Sequence, residues 1–266
     1  MGRAVPGLLA NSAGKLPDRF AHTEWTAPSC VEEQAALQAA PAAAIIAALR
    51  PTLGEERAAR IDAVAGSRLG GVTVVLEDLH DPHNGGAALR SCEAMGVLTV
   101  HVIQQRERFR TSPKVTQGCD KWLQVCEHAA TADCVQTLRR GGFRLYAAVP
   151  GAAQPLEALD PSVPAAFLIG NEHFGLSAEA RALCDQEFAI PLYGFSESVN
   201  LSVATALVVY THTTRRRAAL GRAGDLDEQS LTELLARYYA RDVRGAAAIV
   251  RRFIAASSPP TLLAKP

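Results

Sequence analysis

The chain has 266 residues, 48% of them apolar and 20% charged, which is enough for one sizeable core with an appendage or for two small domains. Lys plus Arg and Asp plus Glu both number 27, so the overall charge does not favour a polyanionic partner. No run of about 18 or more apolar residues occurs, and this argues against a membrane-spanning helix.

The cysteines indicate a reducing compartment. They stand at positions 30, 92, 119, 126, 134 and 184, and no two of them form a Cys-x-x-Cys pair. The first twenty residues contain a short apolar run, which is too short for the core of a signal peptide. We therefore expect a cytoplasmic protein without a disulfide framework.

Residues 1–70 are predicted to form an N-terminal extension that is partly disordered and partly helical. Residues 1–30 mix Pro and Gly with other residues in no clear hydrophobic period. Two helical patterns follow, CVEEQAALQAAPAAAIIAALRP, which is interrupted at Pro41, and GEERAARIDAVAGSRL.

Strand and helix patterns alternate after this extension, and we predict an α/β domain over residues 71–222. The predicted strands are VTVVLEDL, VLTVHVI, FRLYAAVPG, AAFLIG and EFAIPLYG. The predicted helices are GGAALRSCEAMG, TADCVQTLRRGG, LSAEARALC and a long helix over residues 199–219. This alternation implies a parallel sheet with helices on both faces.

Residues 223–266 are predicted to form a C-terminal helical extension, with the patterns DEQSLTELLARYYARD and VRGAAAIVRRF. From Arg215 to the end, ten basic residues stand against five acidic ones. This local excess of five positive charges favours a polyanionic partner.

Several common α/β activities lack their sequence signatures. The first strand is not followed by GxGxxG, which disfavours a nicotinamide-dependent oxidoreductase, and neither GxxxxGK[ST] nor GxSxG occurs. His80 and His83 flank Asp81 in a spacing that a metal could use, but Pro82 indicates a turn and no further ligand cluster is evident. We therefore predict no metal site.

Polar residues follow three of the predicted strands, in HDPHNGGAALRSCEAMGV, FLIGNEHFGLS and PLYGFSESVNLSVATALVVY. Asn84, Ser198 and Asn200 could be helix caps, and Glu172 a turn residue. Arg90 lies among small and apolar residues, so it either reaches a buried partner or meets an anionic ligand. Because ligands of open α/β sheets bind at the carboxyl ends of strands, the three stretches predict one pocket.

These stretches, in this order and spacing, resemble the three motifs of the SpoU (TrmH) family of SPOUT RNA 2′-O-methyltransferases. The resemblance covers about residues 49–224, and DKWLQV and TVVLEDLHDPHN also look like the branch that acts on guanosine 18 of tRNA. Two positions depart from the family pattern. Val199 stands where Leu is usual, and His173 replaces the Gly that normally follows Glu172.

The resemblance implies a deep C-terminal trefoil knot, a homodimer that forms near it, and S-adenosylmethionine bound within the knot loops. The resemblance implies that the cofactor contacts backbone atoms near five residues, namely Ala148, Gly170, Ile190, Leu192 and Val199. The implied partner is RNA, and candidates for its phosphates are Lys121 and the run from Arg215 to Arg217.

The resemblance also assigns roles to the five polar residues of the predicted pocket. Arg90 would hold the target phosphate and lower the pKa of the ribose hydroxyl, since a guanidinium is a poor base. Asn84, Glu172, Ser198 and Asn200 would hold Arg90, the ribose and the active loop.

Three functions remain open at this point. Methylation of a tRNA ribose is the leading hypothesis, because residues 1–70 look helical, whereas relatives that act on ribosomal RNA often carry an N-terminal domain with strands. Methylation of ribosomal RNA is the second. An RNA-binding protein that has lost catalysis is the third, although all five site residues are present.

Overall fold

The computed structural model describes residues 35, 37–106, 108–109 and 113–257, and the expectations for residues 1–30 lie outside this part of the chain. The chain divides into two compact units. The first is Gly66–Asp227, and the second takes in the described residues up to Ala65 and those from Glu228. The two terminal stretches that the sequence analysis treats as separate extensions thus contribute to one unit.

Six strands make up the sheet of the first unit. They are β1 (Leu69–Glu77), β2 (Val97–Ile103), β3 (Gln124–His128), β4 (Arg144–Ala148), β5 (Ala165–Ile169) and β6 (Gln186–Phe188). Their order is β3-β2-β1-β5-β4-β6, and every neighbouring pair is parallel, as the alternation of strands and helices predicts.

Nine α-helices are described in the two units together. They are α1 (Ala42–Leu49), α2 (Glu55–Gly66), α3 (Pro82–Ala94), α4 (Pro113–Thr116), α5 (Thr131–Arg140), α6 (Ala178–Leu183), α7 (Leu201–Leu220), α8 (Glu228–Asp242) and α9 (Ala246–Ser257). No helix in the described ranges is long and apolar enough to cross a membrane.

Strand β3 is the one strand that the sequence analysis does not predict. Its sequence, QVCEH, has three polar residues, and all its side chains are half-buried or exposed. It lies at the edge of the sheet and pairs with β2 alone. A short polar edge strand lacks the β-branched apolar run that marks the buried strands.

Both faces of the sheet are covered. On one face, buried strand residues such as Leu76 join residues of α3 and α7, among them Leu89 and Val208. On the other face, Val75 joins a cluster that includes Leu138 of α5 and Ala180 of α6. The carboxyl ends of β1 and β5, which are neighbours, are therefore held at one edge of a rigid core.

A buried ion pair ties the segment after α7 to the start of β1. Arg216 and Asp225 are each 1% exposed, and the Arg216 Nε and Nη2 atoms both lie 2.8 Å from Asp225 Oδ2. The same carboxylate accepts hydrogen bonds from the backbone N–H groups of Gly70 and Gly71. A side chain at position 71 would collide with this pair, because a Cβ there would meet Arg216 Nη2 at 2.2 Å.

The second unit is helical in its described part. Ile45 of α1 and Tyr239 of α8 are fully buried. Asp62 of α2 accepts a 2.6 Å hydrogen bond from the Tyr239 hydroxyl and pairs with Arg50 at 3.3 Å. Burial, with the neighbouring Asp62 carboxylate, raises the pKa of Tyr239 to about 12.

A buried histidine lies in the middle of α7. His212 is 0% exposed, and neither ring nitrogen has a hydrogen-bond partner. Its ring meets the ring of Phe167 edge-on, with 4.7 Å between the centroids. Burial, together with the charges of Arg216 and Arg215, lowers the pKa of His212 from 6.5 to about 4.

We expect His212→Phe to flatten the dependence of stability on pH. Because the folded pKa lies below the unfolded one, the titration of His212 leaves stability unchanged above about pH 6.5 and lowers it as the pH falls towards 4. In that window, the free energy of unfolding of the wild type, measured in urea, should fall by about 1.4 kcal/mol more per pH unit than that of the variant. The variant should also be about 1–3 kcal/mol more stable at neutral pH, since no unpaired nitrogen stays buried.

His212→Leu serves as a second variant in case the larger ring of Phe does not fit the space. If both variants kept the pH dependence of the wild type, the titration of His212 would not be its cause.

Candidate active site

The candidate site lies where β1 and β5 end. Residues 78–81 leave the carboxyl end of β1 and lead into α3, and residues 170–177 leave β5 and lead into α6. Because β1 and β5 are adjacent, these two loops lie side by side. This is the edge at which parallel α/β sheets bind their ligands.

The Glu172 carboxylate joins the two loops. Its Oε2 atom accepts a 3.2 Å hydrogen bond from the backbone N–H of His80. Its Oε1 atom accepts one of 3.4 Å from the backbone N–H of Asp81 and one of 2.9 Å from Asn84 Nδ2. Glu172 is therefore more than a turn residue, because it fixes the start of α3.

These hydrogen bonds also set the charge of Glu172. Burial of the carboxylate opposes ionisation, but the bonds from Asn84 and from the backbone of His80 and Asp81 prevail and lower the pKa of Glu172. The group is consequently a carboxylate at neutral pH.

Asn84 connects Glu172 to α7. Asn84 Oδ1 accepts a 3.0 Å hydrogen bond from Asn200 Nδ2. Asn200 is the N-cap of α7, and its Oδ1 atom accepts bonds from the backbone N–H of Ser202 at 2.8 Å and from the Ser202 hydroxyl at 2.6 Å. A continuous chain of hydrogen bonds thus joins the β5 loop, α3 and α7.

The expectation that Asn84 caps its helix is wrong. The cap is Asp81, whose carboxylate accepts a 2.8 Å bond from the backbone N–H of His83, and Pro82 fills the first helical position. The Asp-Pro pair in the sequence is the signal for this start. Asn84 lies inside the first turn, so its amide is free to bridge Glu172 and Asn200.

The turn after β5 depends on Gly170 and Asn171. A Cβ at Gly170 would meet the backbone of Gly175 and Leu176 at 2.1–2.4 Å, so only glycine allows the loop to close. Asn171 exchanges two backbone hydrogen bonds with Gly175, and its side-chain amide donates to the carbonyl of Asp78. The sequence analysis did not single out Asn171.

His173 occupies the loop position where the family usually has glycine. Its backbone N–H donates to Asn171 Oδ1 at 2.8 Å, and its exposed ring lies 5.6 Å from that of His80. The positive-φ residue of this turn is Gly175, at +68°, so the turn closes without a glycine at 173.

Arg90 lies on α3, two turns beyond Pro82, with its side chain exposed. It makes no hydrogen bond or ion pair with the described part of the chain. The interpretation of Arg90 as a buried, paired arginine is therefore wrong. Burial raises the pKa of the nearby Cys119 thiol to about 11, and the positive charge of Arg90 opposes this rise. Arg90 is thus near Cys119, which stands two residues before Lys121 in the chain.

Ser198 belongs to a ten-residue segment, residues 190–199, that connects the end of the sheet to α7. The Ser198 side chain is exposed and makes no hydrogen bond to Asn84, Glu172 or Asn200. Among the described residues, no backbone N–H or carbonyl of this segment pairs with another backbone group. The segment therefore offers a run of unused donors and acceptors next to the strand ends.

The five residues expected at the cofactor follow three adjacent strands. Ala148 ends β4, Gly170 follows β5, and Ile190, Leu192 and Val199 lie in the segment after β6. Since β5, β4 and β6 are neighbours in the sheet, these positions share one edge.

The residues expected at RNA phosphates differ in their surroundings. Lys121 is exposed, and its ammonium lies 4.9 Å from the ring centre of Trp122. Arg215 donates to the carbonyl of Leu159, and Arg217 donates to the carbonyls of Ser67, Met95 and Ala223. Arg216 is buried against Asp225, so it is withdrawn as a phosphate ligand, whereas contacts of the others with RNA stay predictions.

The sequence of the chain is similar to that of known RNA methyltransferases. The SpoU rRNA Methylase family matches residues 71–210. A "tRNA (guanosine(18)-2′-O)-methyltransferase" of Thermus thermophilus is 35% identical over 184 residues, which are 68% of this chain and 95% of the relative. The enzyme of the same name from Escherichia coli K12 is 35% identical over 164 residues, 61% of this chain and 72% of the relative.

The fold is also similar to solved structures. A crystal structure of an Aquifex aeolicus "TrmH/SpoU tRNA modifying enzyme" superposes with a TM-score of 0.64 at 27% identity, over 71% of this chain and 98% of that one. The SpoU methyltransferase AviRb from Streptomyces viridochromogenes, solved with AdoMet, gives a TM-score of 0.50 at 25% identity, over 55% of this chain and 60% of that one.

Proposed function

The chain belongs to the SpoU methylase family, and from this premise we propose that Arg90 and its neighbours transfer a methyl group to the ribose of guanosine 18 in tRNA. The methyl donor is S-adenosylmethionine, and the acceptor is a ribose 2′-hydroxyl. The observation that carries the assignment to this site is the exposed guanidinium of Arg90, which makes no hydrogen bond or ion pair with the described residues, on the helix whose first turn is fixed by Glu172 and Asn84.

The loops at the carboxyl ends of β4, β5 and β6 fit a binding site for S-adenosylmethionine. Gly170 lets the loop after β5 fold back closely on itself, and among the described residues the backbone N–H and carbonyl groups of residues 190–199 pair with no other backbone group. We propose that Gly170, Ile190, Leu192 and Val199 hold S-adenosylmethionine through these groups, with Ala148 beside them. When bound, the cofactor supplies an electrophilic methyl group.

Arg90 would act on the RNA. Its planar guanidinium can bind a phosphate oxygen pair next to the target ribose and place the 2′-hydroxyl for attack. The positive charge lowers the pKa of that hydroxyl, and the hydroxyl proton leaves towards the phosphate that Arg90 holds. Arg90 itself stays protonated.

Glu172 is a positioning residue in this account. Both of its oxygens already accept hydrogen bonds, and its lowered pKa makes it a weak base at neutral pH. It holds Asn84, and Asn84 holds Asn200 at the start of α7. Ser198, which is exposed two residues before that cap, is free to contact the ribose.

Transfer RNA is favoured over ribosomal RNA as the substrate. The relatives from Thermus thermophilus and Escherichia coli, which match 68% and 61% of this chain, are named for tRNA, and the described residues before β1 are helical. The test uses a tRNA transcript with 2′-deoxyguanosine at position 18, which should accept no methyl group, while the all-ribose transcript accepts one. Equal labelling of both transcripts would overturn the assignment of the nucleotide.

We further propose that the segment from β6 to α7 takes part in a trefoil knot and in a homodimer. Exposed apolar side chains support an interface there: Tyr193 is 97% and Phe195 110% exposed, and on α7 Leu207 is 39% and Tyr210 59% exposed. Large apolar side chains that stay exposed in this number are typical of surfaces that bind another protein. The five cysteines in the described part of the chain are free thiols, and together with a tRNA substrate they favour a cytoplasmic location.

Light scattering should give twice the mass of one 28.2 kDa chain at micromolar concentration. The double change Leu207→Glu and Tyr210→Glu should give monomers, because two carboxylates would be buried unpaired in the interface. Phe253→Glu is the control, since Phe253 is similarly exposed, at 38%, on α9. A fully active wild-type monomer would contradict the proposed dimer.

A further inference from the structure

Three side chains with metal-binding atoms converge on the sheet face opposite α3 and α7. His101 comes from β2, His128 from the end of β3 and Cys134 from α5. Their ligand atoms all lie within 4.8 Å of one another, and no other group of this kind occurs in the described residues. The methyl-transfer site uses none of them.

The convergence follows from the strand register. Ile103 pairs with His128 and His101 with Cys126, so the two histidines lie diagonally across the β2–β3 pair. Their rings are stacked with centroids 5.2 Å apart, and His101 Nδ1 lies 2.9 Å from His128 Nε2. Cys134 faces the same side of the sheet, within the apolar cluster that contains Val75 and Ile103.

We propose that His101, His128 and Cys134 form a binding site for Zn²⁺. Two imidazoles and a thiolate are the nitrogen and sulfur ligands that Zn²⁺ prefers, and three protein ligands leave a tetrahedral position for water. No metal site is predicted from the sequence, because only the histidines beside Asp81 have a metal-like spacing and β3, which carries His128, shows no strand pattern.

The burial of the ligand side chains favours a metal ion at this cluster. His101 is 7% exposed and Cys134 0%, so their donor atoms are held away from bulk water. The buried carboxylate of Glu77, 2% exposed, accepts a 3.0 Å hydrogen bond from Thr131, one helical turn before Cys134. A thiolate at Cys134 would supply one negative charge against the two of the cation, and Glu77 lies on the same face of the sheet as Val75.

A metal ion at this site would hold the edge strand β3 in place. Strand β3 pairs with β2 alone, and a metal bound to β2, β3 and α5 would link all three. The segment that carries Lys121 leads directly into β3. The inferred role of the metal is therefore to link β2, β3 and α5, and it is separate from methyl transfer.

The test adds Co²⁺ to the reduced, chelator-treated full-length protein and records its absorption spectrum. We expect one equivalent to bind, with a thiolate-to-cobalt charge-transfer band and with visible bands of tetrahedral intensity. Zn²⁺ should displace the Co²⁺ and raise the melting temperature in a concentration-dependent way.

Cys134→Ser should abolish the charge-transfer band, and His128→Gln should weaken Co²⁺ binding at least about tenfold. Cys184→Ser is the control, because this half-buried thiol packs against the same cluster and should leave the spectrum unchanged. His128 is only half-buried, so its variant tests the site even if Cys134→Ser does not fold. Absence of a charge-transfer band in the wild type, or its persistence in Cys134→Ser, would overturn the proposal.

Discussion

Replacing Arg90 with Ala should reduce single-turnover methyl transfer to tRNA on the order of 10³-fold, while the affinity for S-adenosylmethionine stays nearly unchanged. The two effects separate because the proposed cofactor contacts are backbone groups in other loops, whereas the Arg90 side chain is exposed and pairs with none of the described residues. Arg90→Lys should fail almost as badly, since an ammonium cannot make a planar two-pronged contact with a phosphate. Rates at saturating tRNA measure the chemical step, and calorimetry measures cofactor binding.

Arg60→Ala is the matched control for this substitution. Arg60 is also an exposed arginine on a helix, α2, and makes no hydrogen bond or ion pair with the described chain. It should keep the wild-type rate. Wild-type chemistry in Arg90→Ala would remove Arg90 from the mechanism.

Asp225→Ala should destabilise the first unit by about 3–5 kcal/mol, which is the largest stability change that we expect from a single substitution. The substitution leaves the Arg216 guanidinium buried without its counter-charge and leaves the N–H groups of Gly70 and Gly71 without an acceptor. Urea denaturation followed by circular dichroism measures the loss.

Asp225→Asn provides the comparison, because the amide keeps one acceptor oxygen while it removes the charge. It should lose less stability than the alanine variant but more than Asp227→Asn, a substitution outside the ion pair. A loss below about 1 kcal/mol in Asp225→Ala would mean that the pair is not buried in solution.

The parallel sheet could be predicted from sequence because four of its strands are mostly apolar, β-branched or aromatic runs between turn signals. Strand β3 could not, since its polar residues and edge position give no such pattern. For the same reason, the sequence does not show that His101, His128 and Cys134 lie close together. Their proximity depends on the register of β3 with β2.

The candidate site was predictable to the extent that it depends on strand ends. Asn84, Glu172 and Asn200 each follow a predicted strand, and the structure joins them by hydrogen bonds. In the basic run at the end of α7, the prediction that Arg216 binds an RNA phosphate was wrong. Arg216 looks like a surface charge until Asp225 folds back against it, and that contact leaves no local pattern.

The most direct test incubates the protein with methyl-labelled S-adenosylmethionine and separate pools of tRNA and ribosomal RNA, and then maps the labelled nucleotide. The account predicts label in tRNA alone, as 2′-O-methylguanosine at position 18, and none with Arg90→Ala. Label confined to ribosomal RNA, or label on a base instead of a ribose, would contradict it.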